Sequence, residues 1–394
     1  MMYYILTIYI FLTLTNFILF AVGKRSRVIE IITLFFLVIL MGGNTHCADF
    51  EDYQYWYESQ EHPLVMEPGY KFLANTLSSY GVSFIGFRST LFSLSFIIAF
   101  FAVRRMVSNF HLILFVYLSY MMVLDAVQIR NTIGISLLLL GMLFLSQSKR
   151  LRYLLCVLLA SSFHFSFLLF LPLLFYRSIV HVMIRKEKLG LVVCAVLCMA
   201  ALTGSLLAPL SSLVSNYWSD SKVDYYNSSS LLNLVYLVFP ILYYYIAKIS
   251  WKIAYRGDTN QIYEVYSCIV LGIGVIFLFL MPLLIMSRDS LRIFRDANIE
   301  LVVVAAFALT SIRNTGKLKL NGGGYFMHEI QNTSLVTVHA LDGWWAVCSR
   351  ICRVIPKQYP AQITVSIFLA WKKSRDKYSF LANLIQGERR FAYA

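Results

Sequence analysis

A polytopic, all-α integral membrane protein is the fold class this sequence predicts, and three observations predict it. Hydrophobic residues make up 59% of the 394 positions and charged residues 14%, against about 25% charged in a soluble domain. Mean hydropathy is +0.68. Apolar runs near the length of a bilayer crossing recur along residues 1–312. The net charge of +14 sits in short loops between these runs. That is the pattern of a topology signal, and it excludes nucleic acid as a partner.

Cysteine usage and the first residues complete the class. The seven cysteines show no zinc spacing. Cys156, Cys194, Cys198 and Cys268 lie inside apolar runs, Cys47 is alone in its loop, and Cys348 and Cys352 form a weak pair. No metal site and no cofactor is expected. Residues 1–22 have no basic stretch before the apolar run and no small-residue cleavage site, so they read as a first span rather than a signal peptide.

About eleven apolar runs follow in order: 3–22, 28–42, 87–103, 110–124, 131–146, 153–163, 165–176, 189–210, 231–247, 264–283 and 297–312. Basic clusters decide their orientation. These clusters are Lys24–Arg27, Arg104–Arg105, Lys149–Arg152, Arg185–Lys188, Lys248–Arg256 and Arg313–Lys319. All fall on one side, the cytoplasm, provided 153–176 goes up and comes back. A single crossing would be long enough, about 36 Å at 1.5 Å per residue, but would put Arg185–Lys188 outside. The expectation is a hairpin of two half-spans, or two short tilted spans, joined near Ser162–Phe165 with His164 at its apex. Such broken segments survive only where protein or a water-filled cavity satisfies the backbone.

The expected outer loops are 43–86, 215–230 and 284–296. The first is acidic and aromatic, and Phe50, Tyr53 and Tyr57 fall at helical spacing. A short amphipathic helix lying on the membrane is expected there, broken by Pro63 and Pro68–Gly69. Residues 313–394 are basic and polar, with one apolar stretch too short to span. They read either as a cytoplasmic tail or as a non-native segment, for instance a shifted reading frame or a fused remnant.

Four groups of ionisable residues face outward in this scheme. They are Asp49, Glu51, Asp52 and Glu67 in the long loop, then Arg130, then His164, and lastly Arg288, Arg292 and Arg295 at i, i+4, i+7 on one helical face. Arginines outside run against the positive-inside bias and suit an anionic ligand, since a guanidinium binds phosphate in two-pronged fashion. Carboxylates and an imidazole suit acid/base chemistry, and Tyr and Trp suit contact with sugar rings. Structural readings stand beside these. Arg288, Arg292 and Arg295 are interleaved with Asp289 and Asp296, as in a self-paired solvated helix. Arg130 suits a head-group anchor, His164 suits a turn held by a neighbouring carbonyl, and the loop aromatics suit an interfacial belt.

At these residues the chain resembles the EpsG/Wzy-like family of bacterial polysaccharide polymerases. The resemblance covers residues 1–312. Asp49-x-x-x-Tyr53 followed by Glu67-Pro68-Gly69-Tyr70 is similar to the family's first outer loop. Gln128-Ile129-Arg130-Asn131, followed by Thr132-Ile133-Gly134-Ile135, is similar to its span start, with Asn131 where the family usually has Gln. Phe163-His164-Phe165-Ser166 is similar to its F-H-x-S element, and Arg288–Arg295 lies where it has a late outer loop with arginines.

The resemblance implies a GT-C-like architecture in the bacterial inner membrane, with the site facing the periplasm or outside. It implies a metal-independent glycosyltransferase. Its partners would be an undecaprenyl-diphosphate-linked oligosaccharide donor, a second lipid-linked repeat unit, membrane lipid and a chain-length regulator. On that reading Arg130, Arg288, Arg292 and Arg295 bind diphosphate. His164 is the base, with Asp52 or Glu67 competing for that role. Asp49, Tyr53, Trp56 and Tyr70 contact sugar. Two other functions fit similar architectures, a flippase or transporter of lipid-linked sugars and an O-antigen ligase or acyltransferase.

Overall fold

The structure, a computed structural model, describes residues 2–47, 49–60, 66–107, 109–202, 234, 236–256, 261–286 and 291–315. Outside these lie Arg288, the loop 215–230, and all of the basic tail beyond 315. Among the described residues every regular element is helical. In chain order they are α1 (Met2–Val22), α2 (Arg27–Gly42), α3 (Phe50–Ser59), α4 (Pro68–Ser79) and α5 (Phe84–Met106). Next come α6 (His111–Val116), a π-helical turn (Tyr117–Met121), α7 (Met122–Val127), α8 (Ile129–Ser146) and α9 (Arg150–Phe163). A 3₁₀ segment (Phe165–Phe175) leads into α10 (Tyr176–Arg185) and α11 (Glu187–Leu202). The last are α12 (Val238–Arg256), α13 (Gln261–Met286), α14 (Leu291–Asp296) and α15 (Asn298–Thr315).

Each apolar run falls at least partly on one of these helices. Five described segments are long and apolar enough to cross a membrane: Tyr3–Val22, Phe84–Met106, Ile129–Ser146, Phe165–Arg185 and Gln261–Ile285. Large apolar side chains such as Phe11, Ile18, Phe35 and Ile39 are exposed along α1 and α2, as a lipid-facing surface requires. A buried polar link joins these outer helices to the rest. Asn16 donates to Thr33 Oγ1 on α2 at 3.0 Å, and its Oδ1 lies 2.8 Å from His111 Nδ1 on α6. Side-chain hydrogen bonds of this kind hold helices together where no hydrophobic drive exists between them.

Helix α8 is the centre of the bundle, with 83% of its span buried. Its small residues explain how neighbours approach. A Cβ on Gly134 would strike the Phe167 ring, and one on Gly141 would sit 3.0 Å from Cys156 Cβ. The chain reverses at His164, whose φ of −157° and ψ of 118° are extended. Tyr153 on α9 consequently donates its hydroxyl to the Phe170 carbonyl at 2.5 Å. A reversal at His164 is what the sequence suggests. The return leg, however, is not a half-span ending at 176. It continues through α10 as a 21-residue helical segment, because the second half is amphipathic and shows no run of apolar residues.

The long loop also differs from expectation. Helix α3 forms where the spacing of Phe50, Tyr53 and Tyr57 predicts it, but its apolar face covers protein rather than lying on a membrane. Tyr57 stacks on Phe87 at 4.8 Å between centroids, and its hydroxyl donates to the Val82 carbonyl at 2.7 Å. Pro68 begins a helix instead of merely breaking one, as proline does at a first helical position where no N–H is needed. Arg88 is a buried cation that the apolar run conceals. It is fully buried on α5, donates to the Met41 carbonyl at 2.9 Å and the Ala126 carbonyl at 3.3 Å, and lies over the rings of Phe50, Phe84 and Phe92.

Helix α4 starts hard against the end of α9. A Cβ on Gly69 would lie 2.8 Å from the Ser162 carbonyl oxygen and closer still to its hydroxyl. Gly69→Val should therefore push α4 off α9, at a cost of about 1–3 kcal/mol, read as a lower unfolding temperature of the detergent-purified protein.

Candidate active site

Three segments deliver three side chains to one point. Proline disfavours helical backbone in the residue before it, and Glu67 is accordingly extended ahead of Pro68, with φ −63° and ψ 137°. Its carboxylate is thus free to turn away from α4. Arg130 sits in the first turn of α8, just after the capping residue Gln128. His164 occupies the break between α9 and the 3₁₀ segment.

Glu67 joins the other two. Its Oε2 pairs with Arg130 Nη1, and its Oε1 lies 3.0 Å from His164 Nδ1. The Glu67 side chain is only 5% exposed, whereas those of Arg130 and His164 are 24% and 30% exposed. An ionised carboxylate only accepts hydrogen bonds, so His164 carries a proton on Nδ1, and in the neutral imidazole Nε2 then holds the lone pair. Burial raises the Glu67 carboxyl, but the His164 hydrogen bond and the Arg130 charge outweigh it and hold the group below its ordinary 4.5. Arg130 Nε donates to the Tyr53 hydroxyl at 2.8 Å, and the guanidinium lies 5.4 Å from the Tyr53 ring centre and 6.0 Å from that of Tyr70. Among the described residues nothing hydrogen-bonds to Nη2 of Arg130.

The remaining expected residues divide. Tyr53 and Tyr70 are 5% and 1% exposed, so their rings are closed to a sugar. They form instead the floor beneath Arg130, edge to face at 5.7 Å. Trp56 is half-buried and lies edge-on to Tyr53 at 5.4 Å. Asp49 stands at the N-cap position of α3 without a side-chain capping hydrogen bond, and acts on Tyr53 through its charge. Asp52 is exposed on α3. Glu67, expected as an alternative base, is the hydrogen-bond partner of His164.

Of the late arginines, Arg288 lies outside the described residues and only the helical backbone of Arg292 is described. Arg295 is buried, donates to Gln128 Oε1, and stands 3.7 Å from Asp296. Asp296 is fully buried as well, with Asn131 and Ser166 as hydrogen-bond donors. Arg295 and Asp296 are therefore buried rather than part of a solvated face. Asn131, Ser166 and Asp296 are absent from the expected site, although Asn131 and Ser166 stand inside its motifs. An apolar cavity lined by Phe96, Leu114, Tyr117, Asp125, Ile135 and Leu139 lies on the other side of α8 from Arg130.

A profile of the EpsG family matches residues 27–294. The chain belongs to the EpsG family. The match takes in Glu67, Arg130 and His164 and ends just before Arg295. Searches of curated proteins and of solved structures find no match.

In this EpsG-family chain the carboxyl of Glu67 has its proton affinity lowered by folding, so its contribution to stability is present above pH 4.5 and is lost as pH falls through the lowered folded value. Glu67→Gln should destabilise the protein by about 2 kcal/mol at pH 7. It should also flatten the loss of stability seen in wild type on acidification. Thermal unfolding in detergent across pH 3–7 measures both effects.

Proposed function

We propose that the protein is a polysaccharide polymerase. It transfers a glycan from an undecaprenyl-diphosphate-linked donor to another lipid-linked repeat unit, at the outer leaflet of the bacterial inner membrane. Family membership supports a polymerase-type role in exopolysaccharide or O-antigen synthesis. The chain Arg130–Glu67–His164 is the observation that carries the reading further, because it gives each group a distinct task.

In this mechanism His164 Nε2 takes the proton of the acceptor hydroxyl as the new bond from that oxygen to the anomeric carbon forms. The bond from the anomeric carbon to the diphosphate oxygen breaks, and its electron pair leaves with the polyprenyl diphosphate. Glu67 holds the imidazole in the tautomer that leaves Nε2 as the base and stabilises the imidazolium that forms, as a carboxylate does beside a catalytic histidine. Arg130 Nη2 meets the developing charge on the diphosphate, with Arg292 and Arg288 in support. Fixed cations in a water-poor site stabilise such charge at little reorganisation cost. The basic clusters support a reading in which this end of the bundle faces outside, where lipid-linked units are exposed after export.

The lipid-linked glycan profile of a deletion strain tests the reading. Single repeat units on the carrier should accumulate, whereas accumulated polymer would indicate a ligase and bare carrier would count against both. In the same strain, Arg130→Ala should lower chain elongation by about 10²–10³-fold, about 3–4 kcal/mol of transition-state stabilisation. His164→Ala should lack long chains. Wild-type chain length with either variant at equal membrane levels removes that residue from the mechanism.

A further inference from the structure

We propose that Asp296 is a positioning residue that clamps the segment carrying Arg130 to the segment carrying His164. This rests on the polymerase reading for its catalytic consequence, but not for its structural one. The residue lies beyond the family match, which stops at 294, and no motif singles it out.

The geometry is specific. Asp296 ends the short helix α14 and is completely buried. Its Oδ1 accepts from Asn131 Nδ2 at 2.5 Å, and its Oδ2 accepts from Ser166 Oγ at 3.3 Å. Asn131 is the residue after Arg130, and Ser166 is two residues after His164. The two oxygens of one carboxylate are thus divided between the elements that meet at Glu67. The neighbouring Arg295 reaches Gln128, the capping residue of α8, so both terminal residues of α14 grip the start of that helix.

Glu67 alone cannot hold the two elements apart. It pulls Arg130 and His164 toward itself from the α4 side. Phe167 packs on Gly134 between the two elements, and Asp296 ties the neighbours of Arg130 and His164 from the α14 side. Neither Arg130 nor His164 touches Asp296 through a hydrogen bond, so its effect on the reaction passes through backbone placement.

Two variants separate this from a role of the charge itself. Asp296→Ala removes both bonds. Asp296→Asn keeps both after rotation of the amide, since its oxygen accepts from Asn131 and its nitrogen donates to the Ser166 hydroxyl. Hydrogen exchange and turnover are both measured on purified protein in nanodiscs, with lipid-linked repeat units extracted from the deletion strain as substrate. Asp296→Ala should speed exchange at amides 129–133 and 164–168 while leaving α1 and α2 at wild-type rates. Its kcat should fall about a hundredfold, the scale of a 1 Å misplacement, with KM close to wild type. Asp296→Asn should restore both readouts.

Unchanged exchange at both segments in Asp296→Ala overturns the clamp, as does an asparagine variant as impaired as the alanine one. A uniform rise in exchange across all helices also overturns it, since that marks a general packing role. Ser166→Ala guards against an alanine variant that fails to fold. It should loosen 164–168 only, and loosening of neither segment overturns the proposal. If wild-type protein elongates nothing, the polymerase reading fails while the exchange data still decide the clamp.

Discussion

A carboxylate that is 5% exposed beside a membrane bundle must be paired or neutral, because burying an unpaired charge costs several kcal/mol. Glu67 satisfies that constraint with two partners from two different segments. Much of the local architecture follows from it. Pro68 sets the backbone that aims the carboxylate, Gly69 lets α4 close on Ser162, and the break at His164 brings an imbalance of backbone order to the one place where a side chain needs freedom of direction. The aromatic floor of Tyr53 and Tyr70 keeps Arg130 from folding away into its own helix.

The same constraint explains why the outer segments are not a loose lid. Helices α3 and α4 are joined to α5 by ring contacts among Phe50, Tyr57, Tyr70, Phe84 and Phe87, and buried Arg88 ties the end of α2 and the end of α7 to the same cluster. These contacts make a packed platform beneath Arg130, and such packing is what would position the proposed base within reach of a proton. The two side chains proposed to meet substrate, His164 and Arg130, keep 30% and 24% exposure.

The all-helical membrane class was legible in the chain because hydropathy and charge report directly on the solvent each segment meets. Each apolar run falls at least partly on a helix. The reversal at His164 could be argued from the basic cluster at 185–188 alone, since the cost of misplacing charges across a bilayer is large. The length of the return leg was not legible, because α10 is amphipathic and a hydropathy run ends where one face turns polar. Arg88 was hidden for the converse reason: a single cation inside a long apolar run does not interrupt it.

Arg130, His164 and Glu67 were legible as residue types that are expensive near a membrane and therefore call for a reason. Their relation was not. Which carboxylate meets the imidazole depends on a contact between residues 97 positions apart, and nothing in local periodicity separates Glu67 from Asp52. The roles of Tyr53 and Tyr70 likewise turned on burial, which only packing decides. By itself the sequence determined the class of protein, the order of its helices and the short list of costly side chains, because each is set by local composition against solvent. Only the tertiary structure decided that Glu67 stands between Arg130 and His164, and that Asp296 holds their neighbours. Buried charges choose partners by proximity in space, and proximity is a property of the assembled bundle.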